Sequence, residues 1–199
     1  MEQYFDITDN IDQNELQINE IGKYSISKPK HAELITHIIK KIYKNPKTVT
    51  ITDATGNMGG NTISFAKTFK NVNSIEIVPE HCSMLQNNIN VYNLTNVTVH
   101  CANYLDIMNN LNQNVVFIDA PWGGRNYKKQ KQVKLYLYYN NNQKINIEHV
   151  VNNIKNTELI VLKVPYNFDF ISFYRNIKYH KTITYNLKKF IVIVISSKS

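Results

Sequence analysis

The chain has 199 residues, 43% of them hydrophobic, enough to bury one sizeable core. No apolar run approaches the roughly 18 to 20 residues that span a bilayer, and the opening MEQYFDITDNIDQNELQINE lacks the basic and apolar regions of a signal peptide. Membrane and secretory classes are therefore set aside, and a monomer in an intracellular setting, cytoplasmic or nuclear, is expected.

The net charge of +8 is uneven, because residues 1–22 hold six acids (Glu2, Asp6, Asp9, Asp12, Glu15, Glu20) and no lysine or arginine, leaving +14 on residues 23–199. A body this basic attracts a polyanion, RNA or DNA first. Lys, Asn, Ile and Tyr are also favoured by AT-rich coding sequence, and the runs Asn109-Asn110 and Asn140 to Asn142 fit that bias. Cys82 and Cys101 form no CxxC pair and have no histidines at zinc-ligand spacing. Both read as ordinary buried thiols, with neither a disulfide nor a metal site expected.

Along the chain, an acidic arm over 1–27 precedes KPKHAELITHIIKKIYK (28–44), whose Ala32, Ile35, Ile38, Ile39 and Ile42 predict an amphipathic helix. Short β-branched runs then alternate with helical spacing. Strands are expected at 48–54, 73–78, 97–102, 115–120 and 158–165, with helices at 61–70, 79–92, 104–111 and 146–155. Pro79 suits the first turn of its helix. Residues 121–145 have no clear period, and an irregular segment of that length after a strand's C-terminal end is a candidate binding loop. YHKTITYNL and KFIVIVISSK close the chain as an antiparallel hairpin. Five parallel strands, helices on both faces and a terminal hairpin make an α/β, Rossmann-like layout, that of the class I S-adenosylmethionine-dependent methyltransferases.

Three strand ends carry the chemistry. DATGNMGGNT (53–62) leaves the first strand and enters a helix; its glycines permit a sharp turn and close approach of a ligand, and the helix start offers free N–H groups. It is neither a strict GxGxxG nor a P-loop, and a tight turn that binds nothing is the plain alternative. Glu76, about 20 residues on, stands where an acid accepts both ribose hydroxyls of an adenosyl group. Asn103 and Tyr104 end the third strand where an amide and an aromatic can meet adenine, although Asn103 also serves as a helix N-cap. Asp53, Thr55, Gly56, Gly59, Asn61, Thr62, Glu76, Ile77, Asn103 and Tyr104 are the candidate cofactor residues.

The fourth strand ends in Asp119-Ala120-Pro121-Trp122, which resembles the (D/N/S)-P-P-(Y/F/W) motif of methyltransferases that modify exocyclic amines. A nucleobase amine is planar, and hydrogen bonds from its N–H groups to a carboxylate and a backbone carbonyl favour the pyramidal form that attacks a methyl sulfonium. Proline holds the carbonyl, and the aromatic stacks on the base. Asp119, Pro121 and Trp122 are the candidate catalytic residues. Trp122 sits between a proline and two glycines, which argues against burial on all sides.

SISKPKHAELITHI (25–38), VTITDATGNMGGNTISFAKTF (49–69), residues 72–107, VVFIDAPWGGRNY (115–127) and IVLKVPYNFD (160–169) together resemble the RNA cap guanine-N2 methyltransferases of the trimethylguanosine synthase type. The pairing of Gly-Gly-Asn-Thr in the loop with Pro-Trp-Gly-Gly after the fourth strand is the specific part. The resemblance implies methyl transfer from S-adenosylmethionine to the 2-amino group of a 7-methylguanosine cap on RNA or a cap dinucleotide. The product is a 2,7-dimethylguanosine cap, or a 2,2,7-trimethylguanosine cap if two groups are added. It implies that Trp122 stacks on the cationic base, with Arg125, Asn126, Lys128 and Asn167 around the cap. A cationic base gains about 1 to 2 kcal/mol on a desolvated indole. It also makes the acidic arm, shorter than the family's N-terminal lobe, a candidate lid that Tyr4, Phe5, Ile7, Ile11 and Ile18 would dock. The sequence departs from the family at Ala120 (usually proline), Asn103 (usually aspartate) and Tyr166 (often an arginine for the cap phosphates), for which Arg125, Lys128, Lys129 and Lys131 could substitute. Two alternatives stay open: another amino methyltransferase acting on adenine in DNA or guanine in rRNA, and a silent RNA-binding subunit on the same fold. The residue bias suits a parasite or a large DNA virus.

Overall fold

The computed structural model describes residues 1–8, 10–139, 143–178 and 181–196. Asp9 of the acidic arm, the Asn140 to Asn142 run, Tyr179, His180, the last two residues of the expected hairpin and Ser199 lie outside the described residues, as does the Arg125 side chain. The chain forms two compact units, Met1–Tyr104 and Leu105–Ser199.

In the first unit, a short α1 (Gly22–Ser25) precedes α2 (Pro29–Lys40), β1 (Thr50–Asp53), α3 (Gly60–Thr68), β2 (Asn71–Glu76), α4 (Pro79–Val91) and β3 (Val97–Cys101). The strands lie parallel in the order β3-β2-β1, with Asp53 opposite Ser74 and Glu76 opposite Cys101. Pro29 and Pro79 start their helices, where a missing N–H costs nothing. Helix α2 buries Ala32, Ile35, Ile38 and Ile39 but stops at Lys40, so Ile42 is left exposed rather than on the apolar stripe.

The acidic arm belongs to this unit's core. Phe5, Leu16 and Ile26 are buried with Met58, Ile63, Leu85, Ile89 and Tyr92. At about 2 kcal/mol gross per buried side chain, these contacts outweigh the exposed Lys67–Asp6 ion pair at 2.7 Å. Asn88, fully buried, accepts from Gln17 N and donates to Gln17 O and Met58 O, while Tyr92 donates to Asp6 O at 2.8 Å.

One expectation is overturned here. Cys82 of α4 and Cys101 of β3 are joined in a disulfide, with Cα atoms 5.6 Å apart, so neither is a free thiol, and Cys101 lies on the exposed side of its strand. The absence of a CxxC spacing was no guide, because a helix that packs back on its following strand brings distant positions together.

Between the units' sequences, α5 (Tyr104–Ile107) keeps only one turn of the helix expected over 104–111. The second unit then runs through β4 (Val115–Ile118), a 3-10 turn (Gly124–Lys129), β5 (Tyr136–Tyr138), β6 (Lys144–Asn146), α6 (Ile147–Asn153), β7 (Leu159–Val164), α7 (Phe170–Asn176), β8 (Lys181–Asn186) and β9 (Ile191–Ser196). Its main strands follow the order β4-β7-β9-β8; β4 and β7 are parallel, and the terminal hairpin is antiparallel. All four residues of β4 and all six of β7 are buried, as strands covered on both faces should be. Within 121–145 the described residues carry more regular structure than the composition predicts. They hold the 3-10 turn and the β5–β6 pair, and Val133 bonds to Asn167 O and Asp169 N. Helix α7 was not foreseen; Asp169 caps it by accepting from Ser172 N at 3.0 Å.

Candidate active site

In the first unit, the turn after β1 is built by hydrogen bonds among the predicted residues themselves. Asp53 and Thr62 are fully buried. The Thr62 hydroxyl bonds Asp53 Oδ2 and Ser74 Oγ, each at 2.7 Å, and Thr55 N lies 3.4 Å from Asp53 Oδ1. Gly56 donates to Ile75 O at 2.7 Å, and a Cβ there would collide with Ser74 Oγ. Gly59 has φ +101°, a conformation that side chains resist. Gly60 has another reason to be glycine: a Cβ would lie 2.5 Å from the Ser27 carbonyl, because the arm runs directly over it. The arm is tied to the same turn by Asn57 Nδ2 to Ser25 Oγ at 2.8 Å and Asn61 Nδ2 to Ser27 Oγ at 3.0 Å.

Glu76, at the end of β2, is only 8% exposed and accepts from Asn57 N and Val78 N, both at 2.8 Å, one on each carboxylate oxygen. Each oxygen keeps a second lone pair for a hydroxyl donor. His81 Nδ1 stands 3.9 Å away. The buried amide oxygens of Asn57 and Asn61 have no hydrogen-bond donor. An unpartnered buried acceptor is costly, so this turn suits a ligand that brings a donor such as an ammonium, while Glu76 suits vicinal hydroxyls. That donor and hydroxyl set fits S-adenosylmethionine. Asn103 and Tyr104 are buried at the start of α5, and Ile77 is exposed beyond β2.

In the second unit, β4 delivers Asp119, whose side chain is 14% exposed and pairs with Lys163 of β7, Nζ to Oδ2 2.6 Å. Burial pushes the Asp119 carboxyl above the ordinary aspartate range; the Lys163 charge and its hydrogen bond oppose that without reversing it. The Trp122 indole N–H adds a weaker pull in the same sense, although Nε1 itself is buried without a full hydrogen bond. Trp122 is half-buried and meets Tyr127 edge to face, ring centroids 5.1 Å apart. Pro121 is exposed. Gly123 and Gly124 have φ +90° and +69°, and a Cβ on Gly124 would meet nothing within 4 Å. These glycines answer to backbone conformation, and the space beside them is open.

Of the predicted cap residues, Asn167 is committed to the loop, donating to Tyr127 O at 2.9 Å and Gln130 O at 2.8 Å. Asn126, Lys128, Lys129 and Lys131 are exposed, and Lys128 Nζ lies 6.0 Å from the Tyr127 ring centre. Tyr166 is exposed and donates to Asn186 Oδ1 at 3.2 Å. The residue that the motif reading missed is Lys163. Its side chain is 9% exposed, and its ammonium lies 5.5 Å from the Trp122 ring centre and 5.2 Å from that of Phe190. The available signal was a lysine inside the apolar run LIVLKV.

Among the described residues, no cluster of three or more His, Cys, Asp and Glu could hold a metal ion, and no helix is long and apolar enough to cross a membrane.

Residues 48–197 match the family model described as RNA cap guanine-N2 methyltransferase. The chain is 31% identical over 173 residues to an uncharacterized protein of Acanthamoeba polyphaga mimivirus, covering 84% of this chain and 66% of that one. It is 38% identical over 84 residues to the trimethylguanosine synthase of Schizosaccharomyces pombe, covering 39% of this chain and 35% of that one. The chain thus spans less than two thirds of either relative's length. Among solved structures it is similar to a precorrin-6y methyltransferase from Geobacter metallireducens, with a TM-score of 0.62 at 15% identity over 96% of this chain and 97% of that one, a likeness that shows the fold alone. The chain has the α/β Rossmann-like fold of class I methyltransferases, and it belongs to the RNA cap guanine-N2 methyltransferase family.

Proposed function

We propose that the protein transfers a methyl group from S-adenosylmethionine to the 2-amino group of a 7-methylguanosine cap on RNA. The observation that carries this reading is the end of β4, where a buried, ion-paired carboxylate and a half-buried indole stand three residues apart in a family whose members modify cap guanines.

The bound cofactor would supply the activated methyl on its sulfonium. In the first unit, Glu76 holds the ribose hydroxyls, Ile77, Asn103 and Tyr104 flank the adenine, and Asn57 and Asn61 receive the ammonium. Thr55, Gly56 and Gly59 give the turn its close approach, and Asp53 with Thr62 keeps its shape. In the second unit, Asp119 accepts an N–H of the guanine 2-amino group. As that nitrogen gains the methyl it must lose one proton, and Asp119, made more basic by burial, stands ready to take it. Pro121 fixes the neighbouring backbone carbonyl that holds the second N–H, and Trp122 stacks on the base. Arg125, Asn126 and Lys128 are assigned to the cap phosphates, with Asn167 positioning their loop. The arm over 1–27 serves as a lid, a role that its ties to the glycine turn support.

The test is incubation with labelled S-adenosylmethionine and, in parallel, 7-methylguanosine diphosphate, GDP or uncapped oligonucleotides. Label on the 7-methylated nucleotide is expected. Label confined to oligonucleotides would replace this reading with a nucleobase amino methyltransferase of another substrate class, and no label on any of them would support the silent subunit.

A further inference from the structure

The methyl-transfer reading assigns Asp119 and Trp122 but gives no role to the cation between them. Lys163 rises from the middle of an otherwise apolar strand, and its side chain is nearly buried. Its ammonium makes one short contact to Asp119 Oδ2 and lies over two aromatic rings, Trp122 and Phe190. A carboxylate and an indole face are the two groups that a site uses to favour a cationic purine over a neutral one. Here both already serve a cation that belongs to the protein.

The geometry points to Lys163 as a specificity-determining residue: its resident charge on Asp119 and Trp122 reduces the advantage that a 7-methylated, cationic guanine has over an unmethylated one. This inference rests on the proposed cap reading. Two consequences distinguish it from a merely structural lysine. First, an incoming cationic base must either share the indole with the ammonium or move it aside, whereas a neutral base meets no like charge. Second, removing the ammonium returns the carboxylate's whole charge and one ring face to the ligand. The loss of Lys163 therefore sharpens the preference for the cationic base, where loss of a simple scaffold residue would weaken both ligands alike. The buried Phe190 ring lies 5.2 Å from the same ammonium, so the charge stands between two aromatic rings.

Trp122 is the only tryptophan in the chain, so its emission reports the site directly. Native protein and Lys163→Met are titrated with 7-methylguanosine diphosphate and with GDP, and the ratio of the two dissociation constants is compared. The ratio is expected to favour the methylated nucleotide more strongly in Lys163→Met, by about five- to thirty-fold, the range spanned by a single cation–π contact. A ratio that is unchanged, or that falls, overturns the inference while leaving the cap reading intact. Quenching of the native protein by neither nucleotide sinks the cap reading instead. Should Lys163→Met not fold, the native protein labelled with 15N-lysine answers the same question, with Lys163→Arg identifying the resonance. The Lys163 Nζ signal should move on adding 7-methylguanosine diphosphate and much less with GDP; equal movement, or none, overturns the assignment.

Discussion

Replacing Asp119 by asparagine tests the pair at the centre of the site, because it removes one charge and keeps the shape. At 2.6 Å the gross attraction between the charges is about 6 kcal/mol at an effective dielectric of about 20. Desolvation of both groups offsets most of that, but the offset applies to the intact pair; stripping one partner from a buried pair costs about 3 to 5 kcal/mol because the other charge stays buried. The substituted amide would still offer Lys163 a neutral oxygen, so about 2 to 3 kcal/mol is expected for Asp119→Asn. Lys163→Met alone leaves the carboxylate buried without its counter-charge. The double variant leaves no charge to strand, and a coupling energy of about 1.5 kcal/mol or more should appear in the cycle. Urea unfolding at neutral pH reads all four proteins, with m-values held constant as the check on comparability. A loss below about 0.5 kcal/mol for Asp119→Asn, or additive single changes, would mean that water reaches the pair and that Lys163 does not hold the carboxylate. Methyl transfer should fall in Asp119→Asn while cofactor affinity, which the proposed function assigns to the first unit's residues, stays within a few-fold.

Gly60→Ala should cost about 2 kcal/mol and free the arm, since its Cβ meets the Ser27 carbonyl rather than a side chain that could turn away; limited proteolysis within residues 1–27 should accelerate, and unchanged cleavage would refute the strap. The acid limb of the transfer rate should lie above the ordinary aspartate value of 3.8, because the raised Asp119 carboxyl must be ionised to accept an N–H, and in Lys163→Met it should move higher still. Reduction of Cys82–Cys101, separated by 19 residues, should lower stability by about 3 kcal/mol, read as a drop in melting temperature that Cys82→Ala reproduces.

The parts of this molecule that were legible in advance are those written as local pattern. β4 and β7 announced themselves as β-branched runs because both faces are covered, and Gly59 announced a turn because its φ excludes most side chains. What stayed hidden depends on partners distant in sequence. Lys163 vanished into the apolar average of its strand, since nothing local says that a carboxylate 44 positions earlier will face it. Cys82 and Cys101 likewise meet only because α4 packs against β3. Thr62 and Asp53, candidate ligand contacts by residue type, also bond each other, a pairing that residue type cannot show. Asp169 carried a readable N-cap signal for α7, but the helix beyond it is too short and too apolar to show a period.

Charge divides along the same line as the chemistry. Met1–Tyr104 contains nine Lys and Arg against ten Asp and Glu, whereas Leu105–Ser199 contains fourteen against five. The half that carries the glycine turn and Glu76 is thus close to neutral, as suits a compact, singly charged cofactor. The half that carries Asp119 and Trp122 has the positive excess that a polyphosphate chain requires. A strongly basic unit also carries a liability, because any cationic ligand must approach it against the general field. In that setting the acidic face offered to the base must be local and shielded, which is what a carboxylate buried beside an indole provides. Lys163 sits at the point where these two demands meet: it opposes the rise that burial imposes on the Asp119 carboxyl, and in doing so it takes up part of the attraction that the cationic base would otherwise use.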